Sequence, residues 1–512
     1  MKGENLGGRT RANLLANYFG GGWAALMGLV FVPEYIHFLG IDAYGLIGIY
    51  ASLTVWFSML DMGFSPTINR EMSRYLANKV TLKTIADLLK TVELIYFLIS
   101  AMIIILVISI APWLTHHWIK IGNFSEIVVV KSLMIAGVVI AIRWMSTIYR
   151  SAILGLQKQV WLNVLTAIMA TIRSVGTIIV LAYINNTLEA FFIYQGITYL
   201  VEMAILFYTT HNSLPKLEKK SRLNFKLLNT GRNFILGMGA IGVLSTILMQ
   251  LDKAILSKFV TLANFGYFTL ASSVAGSLYI LVMPISNVAY PRFTYLVSQN
   301  DIPQLIGEYH KFTQVLTIML TPTATLMIFF SHTIIYYWSG SDVLANNVAP
   351  LMSILSVGYL INGYLHVPYM AQLGYGWYKL KLSILAIATP IVIAALYLFV
   401  HKFGVMAAAV IWLVLNVIIL VVEIPIMHLR ILKKELNRWV FKDIIFPLVI
   451  CLSVYFLADL FLRYSNVLLT KWMAIPLMIS LDIIATLAVA IVTSEGRRYF
   501  SLTINKLISN NT

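Results

Sequence analysis

Fourteen stretches of about twenty residues, dominated by Leu, Ile, Val, Ala, Phe and Met, follow one another along this chain. They lie near 12–33, 44–66, 91–113, 127–149, 161–183, 189–210, 234–257, 265–289, 312–336, 347–370, 382–400, 404–427, 443–462 and 473–493. About 20 apolar residues in helical form cross the hydrocarbon of a bilayer. Inside it, only helices or closed barrels satisfy every backbone N–H and C=O. The pattern predicts an all-α polytopic membrane protein. Composition agrees: 59% of the 512 residues are apolar and 11% charged, against roughly 25% charged in soluble domains. Too little polar surface remains for a soluble enzyme, a nucleic-acid binder or a disordered chain.

The net charge of +16 is a matter of topology rather than of a nucleic-acid partner. Of the 37 basic residues, 28 fall on the N-terminal side or on alternate connections, five on the remaining connections (Lys120, Lys258, Lys402, Arg463, Lys471), and four inside predicted spans. Basic residues accumulate on the cytoplasmic side, so both termini are expected there. The first apolar segment is long and lacks a small-residue cleavage pattern, so no cleavable signal is expected. The outer connections are short, the longest being about 13 residues around Trp113 to Glu126. One cysteine, Cys451, excludes an internal disulfide and any multi-cysteine metal site.

The two halves repeat. Ala43-Tyr44-Gly45 and Asn264-Phe265-Gly266 each enter a span, and Arg70 and Arg292 close those spans at offsets of 221 and 222. Ala152-Ile153-Leu154-Gly155 matches Ala371-Gln372-Leu373-Gly374 at an offset of 219. Six helices per unit give both units the same orientation. The expected organisation is an N-lobe over 1–211, a basic cytoplasmic linker over 212–233, a C-lobe over 234–428, and an appended hairpin with a tail over 429–512. Two such lobes facing a central cavity would form a transporter.

The segment Leu60-Asp61-Met62-Gly63-Phe64-Ser65-Pro66, with Arg70 through Arg74 beyond it, resembles the second-helix signature of bacterial polysaccharide flippases. Leu251-Asp252-Lys253, Phe265-Gly266-Tyr267 and Pro291-Arg292 resemble them too. These proteins belong to the multidrug, oligosaccharidyl-lipid and polysaccharide exporter superfamily, and the chain is most similar to its O-antigen flippases. The resemblance implies transfer of an undecaprenyl-pyrophosphate-linked oligosaccharide from the cytoplasmic to the periplasmic face of the bacterial inner membrane. It implies no cofactor and no catalysis, and as partners a lipid-linked glycan, membrane lipids and the O-antigen polymerase and chain-length regulator.

Charges inside spans are costly and line cavities or pair with one another. Arg143 lies in the fourth span with Arg150 two turns on, on the same face; Arg173 sits in the middle of the fifth, and Lys253 in the seventh. Their functional reading is a cationic lumen for pyrophosphate or an acidic sugar, Arg being suited to bidentate phosphate contacts. The alternative is structural ion pairing. Lys131 belongs to a span boundary. Asp61 falls in a polar stripe with Thr54, Ser58 and Ser65, which would line water or join helices. Asp252, Asp61 and Glu202 are candidates for ion coupling, as are Glu423 and Asp482, with Asp252 preferred for its motif; structural pairing is the alternative for each, and the more common role of such a carboxylate. Gly20, Gly21 and Gly22 would permit either a gating hinge or close packing. Asn362 and His366 could bond sugar hydroxyls or a neighbouring helix.

There is no Gly-Lys dipeptide and hence no P-loop, nor any HExxH, CxxC or dinucleotide fingerprint. Two rival functions remain open. A cation-coupled drug antiporter of the same superfamily would want an acidic lumen. A membrane glycosyltransferase or polymerase would need a larger outer loop than any here.

Overall fold

The computed structural model describes residues 20–61, 63–76, 78–122, 124–215, 221–225, 232–464 and 471–498. The start of the first predicted span, half of the basic linker and the C-terminal tail beyond residue 498 lie outside the described residues. The rest is helical: α1 (Gly20–Leu39), α2 (Ile41–Ser58), α3 (Phe64–Leu76), α4 (Leu82–His117), α5 (Glu126–Gly155), α6 (Gln159–Tyr183), α7 (Leu188–Asn212) and α8 (Arg232–Phe259). After these come α9 (Leu262–Gly276), α10 (Tyr279–Ser298), α11 (Ile302–Phe329), α12 (Ser331–Ser339), α13 (Asp342–Gly374), α14 (Lys379–Phe403) and α15 (Val405–Arg430). A π-helix over Arg438–Ile445 leads into α16 (Phe446–Tyr464), and α17 (Lys471–Val492) completes the hairpin.

Among the described residues, twelve helices are long and apolar enough to span a bilayer, or thirteen if α9 and α10, bent by 44°, count as one. The expected seventh span is α8, a 28-residue helix whose stretch from 234 to 251 carries no charged residue, with Asp252, Lys253 and Lys258 gathered near its end. Large exposed side chains such as Ile105 (66% exposed) and Leu398 (63%) form a surface suited to lipid rather than water. The chain is a multi-pass membrane protein.

The predicted second span over 44–66 is not continuous. It ends in a 3-10 turn, Met59–Asp61, and the chain restarts as α3 beyond Gly63, whose φ is +90°. Residues other than glycine rarely adopt that region. The Asp61 carboxylate accepts from the backbone N–H of Ser65 at 3.2 Å, from the Ser65 hydroxyl at 2.6 Å, and from the Tyr96 hydroxyl. It thereby satisfies an otherwise free donor of the new helix. The Thr54 and Ser58 hydroxyls turn back to their own helix, onto the carbonyls of Tyr50 and Val55. The predicted stripe thus divides: Thr54 and Ser58 bond their own helix, while Asp61 and Ser65 join α4 through the Tyr96 hydroxyl. The predicted eighth span is also interrupted, between Gly276 and Tyr279. Some helices also outrun their predicted spans: α4 has 36 residues, about 54 Å at 1.5 Å per residue, well beyond a hydrocarbon core of roughly 30 Å.

The described residues form two compact units, Met1–Gly266 and Tyr267–Thr512. The division lies one helix beyond the basic linker, so α8 falls in the first unit, where it packs on α2. The repeat is visible in the helix limits. Ile41 and Leu262 begin α2 and α9 at an offset of 221, Gly155 and Gly374 end α5 and α13 at 219, and Gln159 and Lys379 begin α6 and α14 at 220. In the first unit α5 is the enclosed helix, packed by α3, α4 and α7; in the second it is α13, packed by α10, α11 and α15. The hairpin packs on α11, and Cys451 lies free and buried with Phe330, Tyr455, Ala485 and Val489.

The repeated Ala-x-Leu-Gly motif has a packing cause. A Cβ on Gly155 would lie 2.4 Å from the Asn69 carbonyl oxygen, and one on Gly374 would lie 3.1 Å from Phe293 Cβ. The broken second span of each unit therefore approaches its enclosed helix at a glycine. Gly155→Ala is expected to destabilise the first unit by about 1–3 kcal/mol, because backbone must move, and Gly374→Ala is expected to cost less. Thermal midpoints of the detergent-solubilised variants measure this, and the reverse order would contradict it.

Candidate functional site

Four helices of the first unit enclose a cavity of about 570 Å³, with Ala24, Gly28 and Tyr35 on α1, Arg143 and Arg150 on α5, Arg173 on α6, and Gln195, Tyr199 and Glu202 on α7 in its wall. Helical spacing aligns these groups. On α5, Arg143, Ser146, Thr147 and Arg150 are three, four and seven residues apart; on α7, Gln195, Tyr199 and Glu202 are four and seven apart. Such positions share a face, and the faces meet at the cavity.

Glu202 is the node. Its side chain is 3% exposed, and one carboxylate oxygen takes the Arg150 guanidinium while the other takes Arg173 Nη2 at 2.5 Å. Arg150 also donates to the Thr166 hydroxyl at 3.1 Å, which itself donates to the Leu162 carbonyl at 2.8 Å. Arg173 lies with Cζ 3.7 Å from the centre of the Tyr199 ring, and Arg143 approaches the same ring at 5.5 Å. Cation–π contacts of this kind are worth about 0.5–2 kcal/mol each. The Tyr35 hydroxyl donates to the Ser174 carbonyl at 3.3 Å and the Gln195 amide donates to the Thr177 hydroxyl at 3.2 Å, which fixes the wall.

Arg143 differs from the other two cations. It makes no ion pair among the described residues, and its side chain is exposed to the cavity. Arg173 also holds a free donor, its buried Nε, which has no acceptor among the described residues. Three guanidiniums and one carboxylate leave a formal excess of two positive charges on the wall. A cationic pocket with an aromatic platform and hydroxyls can bind a compact anion carrying sugar-like polar groups.

The structure brings Arg143, Arg150, Arg173 and Glu202 together and leaves Asp61, Lys253 and Asp252 outside this wall. The Asp252 carboxylate accepts from the adjacent Lys253 N–H at 2.7 Å. Gly20 meets α6 closely, since a Cβ there would lie 2.7 Å from Asn163 Cβ, whereas nothing crowds Gly21 or Gly22. In the second unit, Glu423 accepts from Gln372 and Lys381, both at 2.9 Å, and Asp482 accepts from the Tyr455 hydroxyl at 3.1 Å. Asn362 accepts from the Tyr279 hydroxyl and donates to Asn416, both at 2.6 Å, and His366 faces the Ser286 hydroxyl at 3.3 Å. These are bonds between helices. Sequence reasoning missed Tyr199, Gln195 and Tyr35; the i, i+4, i+7 polar stripe on otherwise apolar α7 carries the signal for the first two.

Comparison with known proteins gives three findings. The family described as "Polysaccharide biosynthesis protein" matches residues 37–345. A Shigella flexneri protein named as a candidate O-antigen transporter is 19% identical over 404 residues, covering 78% of this chain and 93% of its own length. The fold matches the lipid II flippase MurJ in an inward closed conformation, with a TM-score of 0.70 at 14% identity over 96% of this chain and 99% of that one. It also matches an inward-facing multidrug MATE transporter of the MOP superfamily, with a TM-score of 0.63 at 13% identity over 83% and 96%.

The pairing pattern separates structural cations from free ones. Glu202→Gln strands two guanidiniums and is expected to lower stability by about 3 kcal/mol. Arg143→Ala breaks no ion pair among the described residues and is expected to cost about 1 kcal/mol or less, the worth of its contact with the Tyr199 ring. Thermal unfolding in detergent distinguishes the two, and a large loss for Arg143→Ala would mean that it too is a structural partner.

Proposed function

On the premise that the chain belongs to the polysaccharide biosynthesis protein family, we propose that it is a flippase for undecaprenyl-pyrophosphate-linked O-antigen or related surface-polysaccharide repeat units. It would work in the bacterial inner membrane with both termini cytoplasmic, moving its substrate to the periplasmic face by alternating access and without chemistry on it. The observation that carries this reading is the cationic cavity, above all Arg143, a guanidinium that makes no ion pair among the described residues and faces the cavity. Arg143 and Arg173 would hold the pyrophosphate, Arg150 and Glu202 would fix the geometry, and Tyr199 would offer its ring to the first sugar.

The physical need is clear. A polar oligosaccharide cannot cross hydrocarbon bare, since each unsatisfied polar group costs several kcal/mol. A hydrated cavity removes that cost while the prenyl tail stays in lipid. The rival drug-antiporter reading calls for acidic walls, and the excess charge in this cavity has the opposite sign. The O-antigen polymerase and chain-length regulator would be functional partners.

The test is the surface-glycan profile of a deletion strain complemented with the parent gene or with variants. The parent is expected to restore surface polysaccharide. Arg143→Ala, at equal membrane abundance, is expected to leave lipid-linked repeat units accumulating on the inner face, and Arg143→Lys to restore only part of the export, for want of the planar fork. Unchanged surface glycan in the deletion strain would overturn the proposal.

A further inference from the structure

The second unit contains a cavity that the proposed transport path does not use. It measures about 760 Å³ and lies where the π-helix, α16 and the end of α17 meet. Three cations line it: Arg438 and Lys442 from the π-helix and Arg497 from beyond α17; no carboxylate is in its wall. All three are exposed, and neither Lys442 nor Arg497 makes an ion pair among the described residues. Arg438 lies 4.0 Å from Glu435, the outer limit of a pair.

The rest of the cavity is apolar and graded along the helix axis. Arg438 and Lys442 are four residues apart, and Phe446 continues their row; Phe441, Ile445 and Val449 form the neighbouring row. Moving from Arg438 toward Val449, the wall passes from charged to wholly hydrophobic, and Val492 faces it from α17. Phe446 is 57% exposed and Val449 51% exposed, so the apolar end lies open on the hairpin surface.

The cavity is also braced from beneath. Gln314 on α11, 4% exposed, donates to the buried Asp443 carboxylate at 2.8 Å. Its own carbonyl oxygen accepts from the Ser494 hydroxyl at 2.9 Å and from the Glu495 N–H at 3.0 Å. His310 lies between Asp443 and Glu435, bonded to both. One buried amide thus ties the π-helix to the segment that carries Arg497, and the three cations are held around a preformed space.

A cluster of cations at one end and an apolar channel leading away along a membrane helix match one chemistry: a phosphate-bearing headgroup with an acyl chain. We propose that this cavity binds an anionic glycerophospholipid from the leaflet on the basic side of the membrane, its phosphate among Arg438, Lys442 and Arg497 and its chain along Phe446 and Val449. Basic pockets between membrane helices bind anionic lipids in this way. The inference stands apart from the identity of the transported substrate.

The test uses the full-length chain in detergent, titrated with phosphatidylglycerol or with phosphatidylcholine of identical acyl chains and read by native mass spectrometry. Phosphatidylglycerol is expected to be retained in preference. Each cation is worth about fivefold, so the triple variant Arg438→Gln/Lys442→Gln/Arg497→Gln should weaken retention about a hundredfold. Val449→Trp, which fills the apolar channel and keeps every charge, should weaken it too. Lys79→Gln/Lys83→Gln/Lys379→Gln, which removes three exposed charges elsewhere, should leave it unchanged. If the triple variant fails to fold, Arg497→Gln alone should still show the fivefold loss. Equal retention of the two lipids, undiminished retention by the charge variants, or displacement of the lipid by millimolar inorganic phosphate would each overturn the proposal.

Discussion

A carboxylate 3% exposed within a membrane-spanning bundle must be neutralised by its neighbours, because an unpaired buried ion costs several kcal/mol. The first unit is organised around doing this for Glu202. One oxygen is held from α5 by Arg150 and the other from α6 by Arg173, so three helices share one node and their relative registers are tied together. The arrangement over-supplies charge. Arg143, two turns before Arg150, has no carboxylate partner among the described residues, and the surplus keeps the cavity wall cationic.

The duplication makes the surplus informative. Glu423 on α15 sits 221 residues after Glu202, at the repeat offset, and is 1% exposed. It is held from α14 by Lys381 and from α13 by Gln372. The same three helices of each unit therefore meet on a buried carboxylate. In the second unit one cation and one neutral amide balance it; in the first, two cations bind it and a third stands by. The scaffold of the node is common to both units, and the excess positive charge belongs to the first alone.

The apolar runs, the repeat and the asymmetric distribution of basic residues were legible in the sequence because each depends on chain-local pattern. The pairing of Arg143 with Arg150 on one face was legible for the same reason. Three things were not. The break at Asp61 falls inside an apolar window, where hydropathy cannot see a 3-10 turn, although Gly63 was a sign of it. The 44° bend between α9 and α10 falls in an apolar run, with no proline at the break to mark it. Glu202 read as one of several buried carboxylates for either ion coupling or structural pairing, and its arginine partners were not identifiable because they lie 52 and 29 residues away.

The charge of the cavity also bears on energetics. In the proposed cycle, a pyrophosphate head with two ionised phosphates cancels the excess of two positive charges, so the loaded cavity is close to neutral. It crosses the low-dielectric region without the penalty of a bare ion, and the membrane potential does little work on it. The empty cavity keeps its excess. A potential that is negative inside acts on that excess by about 2.3 kcal/mol per charge per 100 mV, drawing the empty site back toward the cytoplasm. The driving force for exporting the anion is then applied on the return step, through arginines that are always charged. On this argument a titrating carboxylate is unnecessary for direction, and the double engagement of Glu202 is accounted for by structure alone.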